Sequence, residues 1–130
     1  MKESKKEAER WLSQAENDLE FAKVGLREGF YAQVCFQCHQ VCDKALKAIR
    51  YGSGERIVYG HSLIELGSAM DLTEELADEL AVLDQYYIPT RYPNGLPGGV
   101  PHESYKKKQA DDAVATASRV VSFSRMRVAD

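Results

Sequence analysis

The chain lacks several things, and each absence excludes a class of protein. No apolar run approaches the roughly 20 residues that a membrane-spanning helix needs. No stretch alternates apolar and polar residues as a half-buried strand would. Positive charge is not in excess: the formal net charge is −3, so no global basic field points to nucleic acid, and any phosphate must be held by a local patch. Cysteine is confined to positions 35, 38 and 42. A secreted disulfide framework spreads its cysteines along the chain, so a reducing, cytoplasmic setting is expected. The opening residues, MKESKKEAER, are charged and do not form the apolar core of a signal peptide. All 4 prolines fall between Pro89 and Pro101, so nothing before Ile88 breaks a helix through proline. No internal repeat or compositional break divides the 130 residues. Residues 1–130 are expected to form one domain, and a chain of this size buries about two thirds of its unfolded surface without staples.

What is present is helical periodicity. The stretch from Gly29 to Tyr51 has two faces. Val34, Cys35, Cys38, Cys42, Ala45, Leu46 and Ile49 recur at helical spacing and form a broad apolar face. Gln33, Gln37, Gln40, Lys44 and Lys47 step by three and four along a polar stripe, either solvated or turned toward a partner or ligand. Such a helix belongs at the centre of a bundle.

Within it, Cys35-Phe36-Gln37-Cys38-His39 spells the C-x-x-C-H of haem attachment. That motif needs an export route and an apolar pocket, and the sequence signals neither. Zinc fails on geometry, because Cys35 and Cys42 stand about 10 Å apart along a helix while ligands lie about 2.3 Å from one ion. The same separation exceeds the roughly 7 Å limit for a disulfide. The thiols therefore read as small buried hydrophobes, His39 as a satisfied core histidine, and no metal or cofactor is expected.

Ser4 and Glu7 have capping-box spacing and predict the start of a first helix. Its stripe is Ala8, Trp11, Ala15, Leu19, Ala22 and Leu26, and Gly29 is its left-handed cap. Gly52 to Gly60 reads as a loop. Ser62 and Glu65 predict a short helix to about Met70, and Asp71 or Thr73 caps the next, with Leu76, Leu80, Leu83 and Tyr87 on its stripe. The proline-rich segment from Ile88 to His102 predicts neither helix nor strand. A last helix is expected from about Glu103 to Arg125. The fold class is all-α: an up-and-down four-helix bundle with an additional short helix.

The run Cys35-Phe36-x-x-x-Gln40-x-x-Asp43-Lys44-Ala45-Leu46-Lys47-Ala48 resembles the second helix of HEPN domains (higher eukaryotes and prokaryotes nucleotide-binding), which reads F-x-x-x-Q-x-x-E-K-A-L-K-A. Asp43 stands where Glu is usual. His61-Ser62-Leu63 is similar to the H-S/D-L that opens the short helix across the family. Tyr87-Ile88-Pro89-Thr90-Arg91-Tyr92-Pro93 carries the Y-x-x-x-R-Y-P found in the branch beside minimal nucleotidyltransferases. The resemblance extends from Trp11 and Asp18-Leu19 through Tyr31 to Tyr105 and Ala113.

From the residues alone, Tyr86, Tyr87, Arg91 and Tyr92 set aromatic faces beside a guanidinium where a helix breaks, which suits a base plus a phosphate. The alternative is tyrosines packing the bundle end with Arg91 paired to Asp84 or Glu79. Together with the resemblance, the candidate ligand residues are Arg91, Tyr92, Tyr87, His61, Lys44 and Lys47. Arg91 would anchor an anion, and His61 would bind it better when protonated, so affinity is expected to rise as pH falls. Lys106-Lys107-Lys108 reads as a solvated helix start that adds local positive charge.

The resemblance implies a nucleotide- or RNA-binding domain that acts with a separate nucleotidyltransferase, as in toxin–antitoxin modules, and that forms a homodimer or higher assembly. A second possibility is a metal-independent endoribonuclease, because HEPN ribonucleases use R-x4-6-H. Arg56 and His61 have that spacing. However, they precede the short helix and Ile57 follows the arginine, whereas the family motif follows the third helix with a polar residue after its arginine. Arg91 and His102 are too far apart to match. A third possibility is a dimerisation bundle without a ligand.

Overall fold

The computed structural model describes residues 2–129. Helix α1 runs Lys2–Glu28, α2 Tyr31–Gly52, α3 Leu63–Leu66, α4 Glu74–Asp84, α5 Pro101–Ser104 and α6 Lys107–Ala129, and a single 3-10 turn covers Pro93–Gly95. No strand occurs among the described residues. The bundle is all-helical, as the periodicity predicts, with four main helices.

Gly29 closes α1 with φ 86°, a conformation that costs a side-chain-bearing residue. The chain reverses there, and α2 packs back along α1. Helix α2 also packs against α6, and both α1 and α4 contact this pair. The cross-helix contacts fix direction. Ser124 Oγ donates to Ala45 O at 2.9 Å, while Val100, Pro101 and His102, just before α6, line one groove with Ala32 and Phe36 near the head of α2. Helices α2 and α6 are therefore parallel. Arg125 bonds Glu9 and Glu16 of α1, so α1 runs opposite to both.

The core explains this close packing. Helix α1 presents Ala8, Leu12, Ala15, Leu19 and Ala22, and α6 presents Ala110, Ala113, Ala117 and Val120, all buried. The alanines on both helices let α1 and α6 approach α2 closely. Cys35, Cys38 and Cys42 are each 0 % exposed. Burial disfavours the thiolate and pushes Cys35 up to about 12, with Cys38 and Cys42 raised as well. All three are free thiols, and among the described residues no group of three or more His, Cys, Asp or Glu could hold a metal ion.

Four boundaries differ from expectation. Helix α1 is already helical at Lys2, so Ser4 is no cap, and Glu7 instead accepts from Arg10 and the Trp11 indole. Helix α3 ends at Leu66 rather than Met70. Ser62 caps its start by accepting from Glu65 N at 3.2 Å, and Thr73 rather than Asp71 caps α4. The proline segment contains the 3-10 turn and α5, because Pro93 and Pro101 sit in the first turn, where their missing N–H is not needed. Finally, the last helix starts at Lys107 rather than Glu103. Tyr105 is extended (φ −92°, ψ 139°) and buried edge-on against Tyr86. Gln109 Oε1 then accepts from Lys106 N at 2.8 Å to start α6.

Candidate functional site

The C-terminal end of α4 meets the middle of α2 and the loop before α3, and Asp84 ties them together. Its carboxylate accepts from Leu63 N at 2.8 Å and Ile64 N at 3.2 Å, capping α3 from another helix. It also accepts a hydrogen bond from His39 Nε2 at 3.2 Å. The Gln40 side-chain amide lies 3.1 Å from the other ring nitrogen. His39 is 1 % exposed and satisfied on both sides, the core histidine the sequence suggests.

One turn on, the Tyr87 ring collects four neighbours. His61 stacks on it at 5.4 Å with 20° between planes. His39 lies at 5.0 Å and Phe36 at 6.0 Å, both tilted. The Arg91 guanidinium lies 4.7 Å from its centroid. Arg91 also lies 4.4 Å from Phe36 and 5.2 Å from Tyr92. Three ring faces thus hold one cation. Its Nε donates to Tyr87 O at 2.9 Å, and no carboxylate among the described residues pairs with it. The structural alternative of an Arg91 ion pair is not realised. Asp84 is committed to His39 and α3, and Glu79 pairs with Arg119. Arg91 opens onto a groove of about 640 Å³ lined by Phe36, Gln37, Thr90, Pro101 and His102.

His61 leads inward. Its Nδ1 lies 2.7 Å from Asp43 Oδ2, while half of its side chain remains exposed and Nε2 has no partner among the described residues. Asp43 is 3 % exposed. The Lys47 ammonium sits 2.9 Å from its other oxygen but outside hydrogen-bond geometry, so the contact is purely ionic. Lys47 is itself buried, 5.8 Å from the Trp11 ring, which stacks on Tyr51 at 5.2 Å.

The structure thus gathers Arg91, Tyr87, Tyr92 and His61 at one mouth. The polar stripe of α2 is not uniformly solvated: Gln33 is exposed, Gln37, Gln40 and Lys44 are half-buried, and Lys47 is buried behind Asp43. Lys44 faces α1, where it pairs with Asp18. Arg56 is exposed in the loop, and no bond joins it to His61. Lys107 and Lys108 pair with Asp111 and Asp112 on their own helix. Sequence reasoning missed Phe36 and Asp43 as parts of the mouth. Phe36 heads the α2 motif, and Asp43 sits four residues before Lys47, so a paired, half-turned-in carboxylate was the available signal.

An all-helical bundle with an aromatic-framed, carboxylate-free arginine beside an imidazole–carboxylate pair defines a class: a helical domain with a cationic mouth. Within that class the chain belongs to the HEPN domain family, whose model matches residues 8–127. It is 34 % identical to TT1696 from Thermus thermophilus, with TM-score 0.88 over 93 % of this chain and 98 % of that one. It is 30 % identical to ST0689, an archaeal HEPN homologue, with TM-score 0.79 over 94 % and 98 %. A Methanocaldococcus jannaschii protein named "Putative toxin MJ1304" is 27 % identical, over 89 % of this chain and 84 % of that protein.

Proposed function

We propose that this HEPN domain binds a nucleotide or RNA through a phosphate held at Arg91, and that it works with a separate nucleotidyltransferase in a toxin–antitoxin-type module. The observation that carries the binding reading is the Arg91 guanidinium, which is positioned by three aromatic rings and left without a carboxylate. An arginine is always charged, offers a planar fork to phosphate and stacks on rings. Tyr87 and Tyr92 frame it. His61 stacks on Tyr87 and is held by Asp43 at Nδ1, with Nε2 left without a partner among the described residues. Lys44 and Lys47 already neutralise Asp18 and Asp43. In this reading they set the local field rather than touch the phosphate.

The module reading draws on the resemblance to the nucleotidyltransferase-associated branch and on the name of the M. jannaschii relative. A direct test is binding of nucleotides and short RNAs to wild type and Arg91→Ala. Loss of binding with an unchanged helical circular dichroism signal supports the reading, and equal binding sinks it. Co-purification with the product of a neighbouring nucleotidyltransferase gene tests the partner. Light scattering at micromolar concentration tests the homodimer, and a monomer mass is the adverse result.

A further inference from the structure

Beside the cationic groove lies a second cavity of about 300 Å³ between the end of α1 and the start of α2. Its volume is at the low end for small-molecule sites. Phe21, Val24 and Phe30 border it, and they are 64 %, 45 % and 56 % exposed, far more than a core needs. Its floor is closed because the helices touch there: a Cβ on Gly25 would meet Val34 Cγ2 at 2.9 Å. The two cavities are contiguous, since Phe21, Gln33 and Gln37 line both. Gln33 and Gln37 lie one turn apart on α2, so their side chains share a face. Neither amide has a hydrogen-bond partner among the described residues.

We infer that this slot takes the nucleobase of the ligand whose phosphate sits at Arg91. The inference rests on the binding reading above and adds the second half of the ligand. The slot offers aromatic and aliphatic walls for a flat ring. The amides at its junction with the groove each supply a donor and an acceptor for a base edge. The arginine lies across the shared wall, where the phosphate of the same nucleotide would be. A second copy of the chain fits less well. A stable dimer covers about 800 Å² per partner, whereas this is a crevice sized for a ring that adjoins the Arg91 groove.

Calorimetric titration of the full chain with inorganic pyrophosphate and with the four ribonucleoside 5′-diphosphates tests the assignment. At least one nucleoside diphosphate should bind about 5- to 150-fold tighter than pyrophosphate, the value of one stacked base. Phe30→Ser should shrink that gap to within about twofold and leave pyrophosphate affinity unchanged, because Phe30 borders the slot but not the Arg91 groove and is more than half exposed. Gln37→Ala should change the ranking of the four bases. The slot is misassigned if wild type binds pyrophosphate and nucleoside diphosphates equally, or if Phe30→Ser keeps the gap. It belongs instead to a second copy if Phe30→Ser keeps the gap and dissociates an oligomer in light scattering. Arg91→Ala separates the two claims. It should weaken all five probes by a common factor. If it changes none while Phe30 still controls the gap, the phosphate assignment fails and the base slot stands. No binding of any probe overturns both.

Discussion

Two histidines flank Tyr87, each bonded to an aspartate, and they do opposite jobs. His39 is sealed: both ring nitrogens have partners, and Asp84 spends its remaining capacity on the start of α3. His61 is open, bonded on one nitrogen and half exposed on the other side. The ring beside them makes the same contrast, with protein on the His39 side and an arginine facing a groove on the other. Residue type does not separate a sealed histidine from an available one. Unused hydrogen-bonding capacity does, because a buried polar group left unpaired is costly and an exposed one is available to a ligand.

The largest effect should come from breaking the buried pair behind the open histidine. Lys47→Met leaves Asp43 without its lysine in a site that is 3 % exposed. A broken buried pair costs about 3–5 kcal/mol, measurable by urea unfolding. A loss under about 1 kcal/mol would mean that the mouth does not depend on this network. On the sealed side, Asp84→Ala should cost about 2–3 kcal/mol, since it orphans His39 and uncaps α3. If stability is unchanged, the two aspartates are not the distinct anchors described here.

Next is the open side itself. A charge-assisted bond is worth about 1.5–3 kcal/mol, so Arg91→Ala should weaken nucleotide or RNA binding at least about tenfold. Its stability should stay within about 0.5 kcal/mol of wild type, as for an exposed residue. Arg91→Lys should rescue only in part, because the fork and the ring stacking are lost. An unfolded Arg91→Ala would make the arginine structural and erase the contrast.

The effect that is absent at neutral pH concerns the thiol seam. An ordinary thiol ionises near 9.0, while burial pushes Cys35 up to about 12. The unfolded chain therefore gives up this proton first as pH rises. Stability is unaffected below pH 9 and falls through the window from 9 to 12. The slope on Cys35→Ala should be shallower than wild type in urea midpoints taken across that window. Equal slopes would mean that the thiol does not contribute.

How far the sequence carried follows the same division between local and long-range contacts. The helices, the Gly29 reversal, the Ser62 and Thr73 caps, the buried cysteines and the satisfied His39 were legible because each depends on spacing within one segment. The mouth residues Arg91, Tyr87 and Tyr92 were legible from one short run. The roles of Asp84 and Asp43 were not, because their partners lie 21 and 18 positions away for Leu63 and His61. The break before α6 was equally hidden. Ser104, Tyr105 and Lys106 include no helix breaker, and the burial of Tyr105 against Tyr86 decides it. Lys47 read as part of a polar stripe, solvated or turned toward a ligand, whereas it is buried beside Trp11 of α1.

That cover gives the molecule an optical property. Trp11 is its one tryptophan, stacked on Tyr51 and facing the Lys47 ammonium. Indole emission is therefore coupled to a charge that Asp43 holds and His61 shares. Under the binding reading, a ligand that draws His61 away from Asp43 should alter the field at the indole through Lys47. The wavelength of that emission should then report ligand binding with no label added.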